Sequence, residues 1–196
     1  MSLKPALQEL SPLPTREKTS DEALASRARR TPELFGELYQ RYQQRIYSYH
    51  LARTGNSHEA EDLTSQTFVA ALENLDHFDE KRHFGGWLFG IAKHKLADYF
   101  RKPSLELPLE KAKNAPTPDA SPEEQAASQM DMAAIARGLK HLPADQVEAL
   151  SLRIFGGLKA AEAGKLMGKS EAAVKMLVLR GLRNLQQMLV INMEVL

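Results

Sequence analysis

The sequence contains no cysteine among its 196 residues. This excludes disulfides, thiolate zinc sites, iron–sulfur clusters, cysteine nucleophiles and thiol redox sensing within the chain. Tryptophan occurs once and aromatic residues make up 7%. Long apolar runs are also missing. Stretches such as the four residues Met176–Leu179 fall far short of the roughly 20 needed to span a bilayer. The opening MSLKPALQELSPLPTREK has no continuous apolar core, so it does not read as a secretory signal. These features predict a cytoplasmic protein. A charge excess is absent too: 26 basic and 25 acidic residues leave a net +1. What is present, 43% hydrophobic and 26% charged residues, has the balance of a folded globular chain.

The distribution of charge says more than its sum. Residues 132–187 carry nine basic and four acidic residues, net +5. Residues 103–131 carry two and six, net −4. The acidic stretch holds Pro103, Pro108, Pro116, Pro118 and Pro122 and shows no sustained apolar period. Proline removes a backbone donor and biases its predecessor away from helix. The stretch therefore reads as a flexible linker over 103–127, between domains at 31–102 and 128–196. Residues 1–30 read as a flexible arm with a short helix near Asp21–Arg29.

Both domains read as helical, giving an all-α fold of two small domains. Thr31-Pro32-Glu33 has the signature of a helix start, and Leu34, Leu38, Tyr42, Ile46 and Tyr49 follow at steps of three or four. Asn56-Ser57 can cap a second helix, with a stripe of Ala60, Leu63, Thr67, Phe68, Ala71, Leu72 and Leu75. A third helix runs over 84–102. Leu142-Pro143 opens a helix stopped by Gly156-Gly157. A short helix over 158–167 ends at Gly168, and Ser170 caps a long one. No segment shows the period-two alternation of a sheet strand.

A short helix, a tight turn and a longer helix form a helix-turn-helix, whose second helix enters the major groove. On a helical wheel Val174, Leu177, Val178, Gly181, Leu185 and Met188 face inward. Ala172, Met176, Leu179, Arg180, Arg183 and Gln187 face outward, with Lys175 at the edge. A solvated helical hairpin would show the same pattern, and spacing alone does not separate it from a DNA reader. On the helix over 84–102, Gly86, Gly90, Lys93, Ala97 and Arg101 form a small or basic stripe beside His94. Such a stripe suits a close phosphate backbone or a closely packed neighbouring helix. The rings of Phe84, Trp87, Phe89, Tyr99 and Phe100 suit a core, and some of them base stacking. His77, Asp79, Glu80 and His83 lie close in sequence but lack the His-Glu-x-x-His spacing of a helical zinc site, and they read as a polar loop.

Two blocks carry a family resemblance. EAEDLTSQTFVAALENL followed by FGGWLFGIAKHKLADYFRK resembles region 2 of the sigma-70 family. LPADQVEALSLRIFGGLKAAEAGKLMGKSEAAVKMLVLRGLRNLQQML resembles region 4 of that family. Their order, with no region 3 between them, is similar to the extracytoplasmic-function (ECF, group 4) sigma factors. The resemblance covers 33–102 and 132–189.

It implies a bacterial transcription initiation factor, not an enzyme, that uses no cofactor. Its partners would be core RNA polymerase, promoter DNA and an anti-sigma protein. Core polymerase contact would fall on Glu61, Asp62, Ser65 and Gln66. The −10 element would be recognised and opened by Asn74, His77 and Phe78 of the loop 74–83, and by Lys93, His94, Ala97 and Arg101. The −35 element would be read by Ser170, Glu171, Ala172, Lys175, Met176, Arg180 and Arg183. The chain departs from the family pattern at DLTSQTF, where Ser65 and Gln66 replace Gln and Glu, at AEAGKLMG, and at VKMLVLRGL. Met176 and Leu179 suit a thymine methyl or an anti-sigma surface equally. The competing expectation is a helix-turn-helix regulator acting without core polymerase.

Overall fold

The computed structural model describes residues 19–101 and 138–193. The expected linker and most of the expected N-terminal arm lie outside them. Among the described residues there are helices and turns and no strand. Helix α1 spans Asp21–Ala28. A 3-10 turn, Pro32–Leu34, leads into α2, Phe35–Thr54. Then come α3, Ser57–Glu73, a 3-10 turn Leu75–His77, and α4, Phe84–Arg101. After the undescribed stretch, α5 spans Ala144–Leu150 and passes into a π-turn, Ser151–Phe155. Helix α6 is Ala160–Met167 and α7 is Glu171–Met193.

The helix ends follow local chemistry. Asn56 Oδ1 accepts from the backbone N–H groups of His58 and Glu59 at 3.0 and 3.3 Å. Ser170 Oγ accepts from Ala173 N at 3.2 Å. Each satisfies donors that a helix start leaves orphaned. Thr31 makes no side-chain cap, contrary to expectation. Its carbonyl instead accepts from Leu34 N at 3.0 Å, closing the 3-10 turn.

Residues 21–28, which fall in the expected arm, are packed into the first helical unit. Leu24, Ala25 and Ala28 of α1 are buried in the same core as Leu38, Tyr42 and Ile46 of α2. Asp21 holds α1 to α2 through Arg41 at 2.5 Å and through the Tyr42 hydroxyl at 2.5 Å. The core then continues through Leu63, Phe68 and Ala71 of α3 and Phe84, Leu88, Phe89 and Ala92 of α4. Leu72, placed in the α3 stripe by periodicity, is exposed.

The two helical units are packed together, although their sequences read as tethered and separate. Leu152, Leu158 and Ala163 share a core with Phe89 and Tyr49. Arg45 of α2 donates from Nε and Nη2 to the Gly156 carbonyl at 2.9 and 2.5 Å. Its guanidinium also lies 4.7 Å from the Tyr42 ring centroid. A Cβ at Gly156 would meet Phe89 at 2.8 Å, so that glycine admits the ring. Arg53 pairs with Glu148, which also accepts from the Tyr49 hydroxyl at 3.4 Å.

Candidate nucleic-acid and polymerase interface

Helix α7 presents two faces. Val174 and Gly181 are buried, and Leu177, Val178 and Leu185 are half-buried against the core. The opposite face exposes Glu171, Ala172, Lys175, Met176, Arg180 and Arg183, with Ser170 at the cap. The −35 candidates therefore lie together on one open surface, the arrangement a groove-reading helix needs. Lys175 pairs with Glu171 at 2.6 Å, and that pairing holds the Glu171 carboxyl below its ordinary range. Leu179 and Leu182 extend Met176 into an exposed apolar strip.

The turn before α7 explains one departure from the family pattern. Gly164 costs helix propensity, yet a Cβ there would lie 2.6 Å from the Lys169 carbonyl. The Lys169 N–H donates to the Gly164 carbonyl at 2.9 Å, so the turn folds back directly over this glycine. Gly168 ends α6 in the left-handed region at φ 64°. Lys169 reaches Asp145 at 2.8 Å, tying the turn to α5.

On α3, Asp62, Ser65 and Gln66 are exposed and Glu61 is half-exposed. The opposite side, Ala60, Leu63, Thr64, Thr67 and Phe68, is buried. The polymerase-contact candidates thus share one face, beside exposed Val69, Leu72 and Tyr39.

The −10 candidates divide. Asn74 and His77 are exposed, and Asn74 Nδ2 donates to the Ala70 carbonyl at 2.8 Å. His94, Ala97 and Arg101 are exposed on α4, with Arg101 paired to Asp98 at 2.7 Å. Gly86 faces open space. Phe78 departs from expectation. It is 2% exposed, with its ring centroid 5.5 Å from Phe84 and 5.1 Å from Trp87. A ring enclosed in this way is core and offers no face to a base. Lys93 is occupied: Nζ donates to the Leu166 carbonyl at 2.6 Å and lies 3.9 Å from Glu148. Leu166 also sits 3.7 Å from where a Gly90 Cβ would be. Helix α6 therefore covers the middle of the stripe, while its ends stay open. His83 approaches Glu162 at 3.5 Å from the same side.

Sequence reasoning missed the contacts Arg45–Gly156 and Arg53–Glu148 that hold this arrangement. A basic side chain facing a second unit has no periodic signature. Among the described residues, no cluster of three His, Asp or Glu is placed to hold a metal ion, and His77, Asp79, Glu80 and His83 do not converge. No described helix is long and apolar enough to cross a membrane.

Comparison with known proteins follows the same division. Residues 38–105 match the family described as Sigma-70 region 2, and residues 132–185 match Sigma-70, region 4. The chain is 36% identical over 160 residues to the ECF RNA polymerase sigma factor BldN of Streptomyces coelicolor, covering 80% of this chain and 61% of BldN. It thus spans less than two thirds of BldN's length. It is 30% identical over 175 residues to RNA polymerase sigma factor NccH of Alcaligenes xylosoxydans, covering 86% of this chain and 94% of NccH. The structure of CnrH in complex with the cytosolic domain of CnrY superposes with a TM-score of 0.64 at 26% identity, over 87% of this chain and 97% of CnrH. The chain belongs to the sigma-70 family of RNA polymerase sigma factors, in its ECF subfamily.

Proposed function

We propose that this sigma factor directs initiation through three surfaces. The α3 face of Glu61, Asp62, Ser65 and Gln66 docks on core polymerase. Helix α7 reads the −35 element. Asn74, His77 and the α4 residues Lys93, His94, Ala97 and Arg101 capture the −10 strand. The domains carrying these roles are 31–102 and 128–196, and the chain acts in the cytoplasm, where core polymerase is found. It performs no chemistry of its own.

One observation carries the reading: the seven −35 candidates from Ser170 to Arg183 share an open face whose reverse side is packed. Phosphate contacts from Lys175, Arg180 and Arg183 would set register, and Ala172 and Met176 would meet base edges. The exposed acidic α3 face supports a factor that needs polymerase, since a free DNA-binding regulator would have no use for it.

Lys93 spends one of its three N–H donors on the Leu166 carbonyl and stays 40% exposed. The second unit thus borders the strand path, and separation of the two units would free Lys93 fully for the −10 strand. The strip of Met176, Leu179 and Leu182 supports a protein partner of the anti-sigma kind, and the CnrH structure, solved with the cytosolic domain of CnrY, is in keeping with that.

Permanganate reactivity of −10 thymines, measured with polymerase present, tests this reading. Wild type should expose them. Ala97→Glu should suppress the signal, because it adds bulk and negative charge to the strand path. Asp62→Lys should weaken a core pull-down while leaving far-UV helicity intact. Full promoter opening by Ala97→Glu, or equal pull-down by Asp62→Lys, would remove the corresponding surface.

A further inference from the structure

Helix α1 precedes the residues matched to region 2, which begin at position 38. None of the surfaces assigned above includes it. Yet its contacts converge on the loop between α3 and α4. Arg29 Nε donates to the Leu75 carbonyl at 3.1 Å, and Arg29 Nη2 donates to the Phe78 carbonyl. Arg29 Nη1 lies 3.4 Å from Glu80 Oε1, which also accepts from Ser26 Oγ at 2.5 Å. Glu22 Oε1 accepts from the backbone N–H of Phe84 at 3.1 Å, where the loop rejoins helix. The helix thus grips the loop at its start, middle and end.

We propose that Arg29 is a positioning residue for −10 recognition, holding the loop 74–83 in the form that receives an unpaired base. This rests on the reading that Asn74 and His77 of that loop contact the −10 strand. The loop's own anchors are Leu75 and Phe78, both buried, while Asp79 to His83 are exposed. Two buried anchors fix its floor and leave the backbone above them with few partners of its own. Arginine suits the task because its planar fork presents several N–H donors in fixed directions. One guanidinium bonds two carbonyls three residues apart and a carboxylate together. A lysine ammonium is a point charge on a flexible stem and does not bridge both carbonyls in a set geometry. The fork is itself immobilised, because Leu24, Ala25 and Ala28 are sunk in the core and Asp21 is tied to Arg41 and Tyr42. A loop held in its bound form avoids the ordering cost that a mobile loop meets at each capture.

The experiment measures binding of holoenzyme to single-stranded oligonucleotides carrying the promoter's −10 sequence or a single-base change in it. The readout is the ratio of the two affinities. Arg29→Gln should reduce that ratio about tenfold, with affinity for core polymerase and for −35 duplex unchanged. Arg29→Lys should fail to restore it. Glu80→Gln leaves both carbonyl contacts in place and should reduce the ratio two- to threefold without loss of thermal stability. Asn74→Ala and His77→Ala separate reading by the loop from its positioning by Arg29. If they leave the ratio intact, the loop is not the reader. If they reduce it while Arg29→Gln and Glu80→Gln do not, the loop reads but Arg29 does not position it. Parallel loss of core affinity, −35 affinity and discrimination in Arg29→Gln would overturn the proposal in favour of a general stabilising role. So would full rescue by Arg29→Lys.

Discussion

Replacing Arg53 by methionine keeps much of the side chain's volume and removes the charge that joins α2 to α5. The consequence follows from Glu148, whose side chain is 12% exposed and faces an Arg53 that is 19% exposed. Without Arg53, that carboxylate keeps only the Tyr49 hydroxyl at 3.4 Å and Lys93 at 3.9 Å. Breaking a fully buried pair costs about 3–5 kcal/mol, and a solvent-exposed pair contributes about 0–1 kcal/mol. The low exposure places this pair between those limits, and the remaining Lys93 moderates the loss, which gives about 1.5–2.5 kcal/mol. In the separated form Glu148 meets water, so the loss falls on the packed form alone. The opening constant should rise about 10- to 70-fold. The lack of native cysteine makes the assay direct: Glu73→Cys and Gln186→Cys, at exposed positions of α3 and α7, accept a donor and an acceptor dye. Arg53→Met should lower energy transfer in the free protein and shorten the lag before promoter opening. Adding Glu148→Gln should recover part of the packed population, because no unpaired charge remains. Transfer equal to wild type in Arg53→Met would refute the claim that this pair holds the units together.

Other outcomes follow from single sites. Each of Lys175, Arg180 and Arg183 that neutralises a phosphate should, on change to alanine, reduce the magnitude of the log K against log salt slope by about 0.9. Gly164→Ala forces a Cβ to 2.6 Å from the Lys169 carbonyl. The resulting overpacking should cost about 1–3 kcal/mol, or about 2–4 °C of melting temperature per kcal/mol, read by thermal denaturation. His50 is buried, with Nε2 3.1 Å from Thr67 Oγ1, and burial pushes its imidazole down to about 3. The unfolded value is about 6.5, so the unfolded chain binds the extra proton first. Stability tied to neutral His50 is present above about pH 6.5 and is lost as pH falls from there toward 3, at up to about 1.4 kcal/mol per pH unit. Urea melts across that window should show the slope, and His50→Leu should flatten it.

The elements that local chemistry fixes are those the sequence makes legible. Asn56 and Ser170 sit at helix starts as their capping side chains demand, and Gly168 sits at a helix end because it lacks a side chain and takes φ 64° freely. The α7 face could be read because a period of 3.6 separates Val174 and Gly181 from Lys175 and Arg180. What could not be read depends on partners distant in the chain. Helix α1 itself is legible near Asp21–Arg29, but its docking is not: burial of Leu24 against α2 is a contact that eight alanine-rich residues do not announce. Phe78 has the composition of a stacking platform and of a core ring alike; its neighbours Phe84 and Trp87 decide between them. The packing of the two units rests on Phe89 entering the space left by Gly156, and on carbonyl and carboxylate partners for Arg45 and Arg53. Each of those side chains, taken alone, fits a solvated or single-domain role. The apparent choice for the glycines of α4 also divides: Gly90 lies under Leu166, and Gly86 faces open space.

The central claim is that this chain confers promoter-specific initiation on core polymerase through separate −10 and −35 surfaces. Run-off transcription from a promoter library, with core polymerase and the purified chain, tests it most directly. Transcripts should require both the chain and the core enzyme, start at one selected sequence pair, and disappear when either element is scrambled. A library that yields no chain-dependent transcript, while the chain alone still binds duplex DNA with sequence preference, would contradict it.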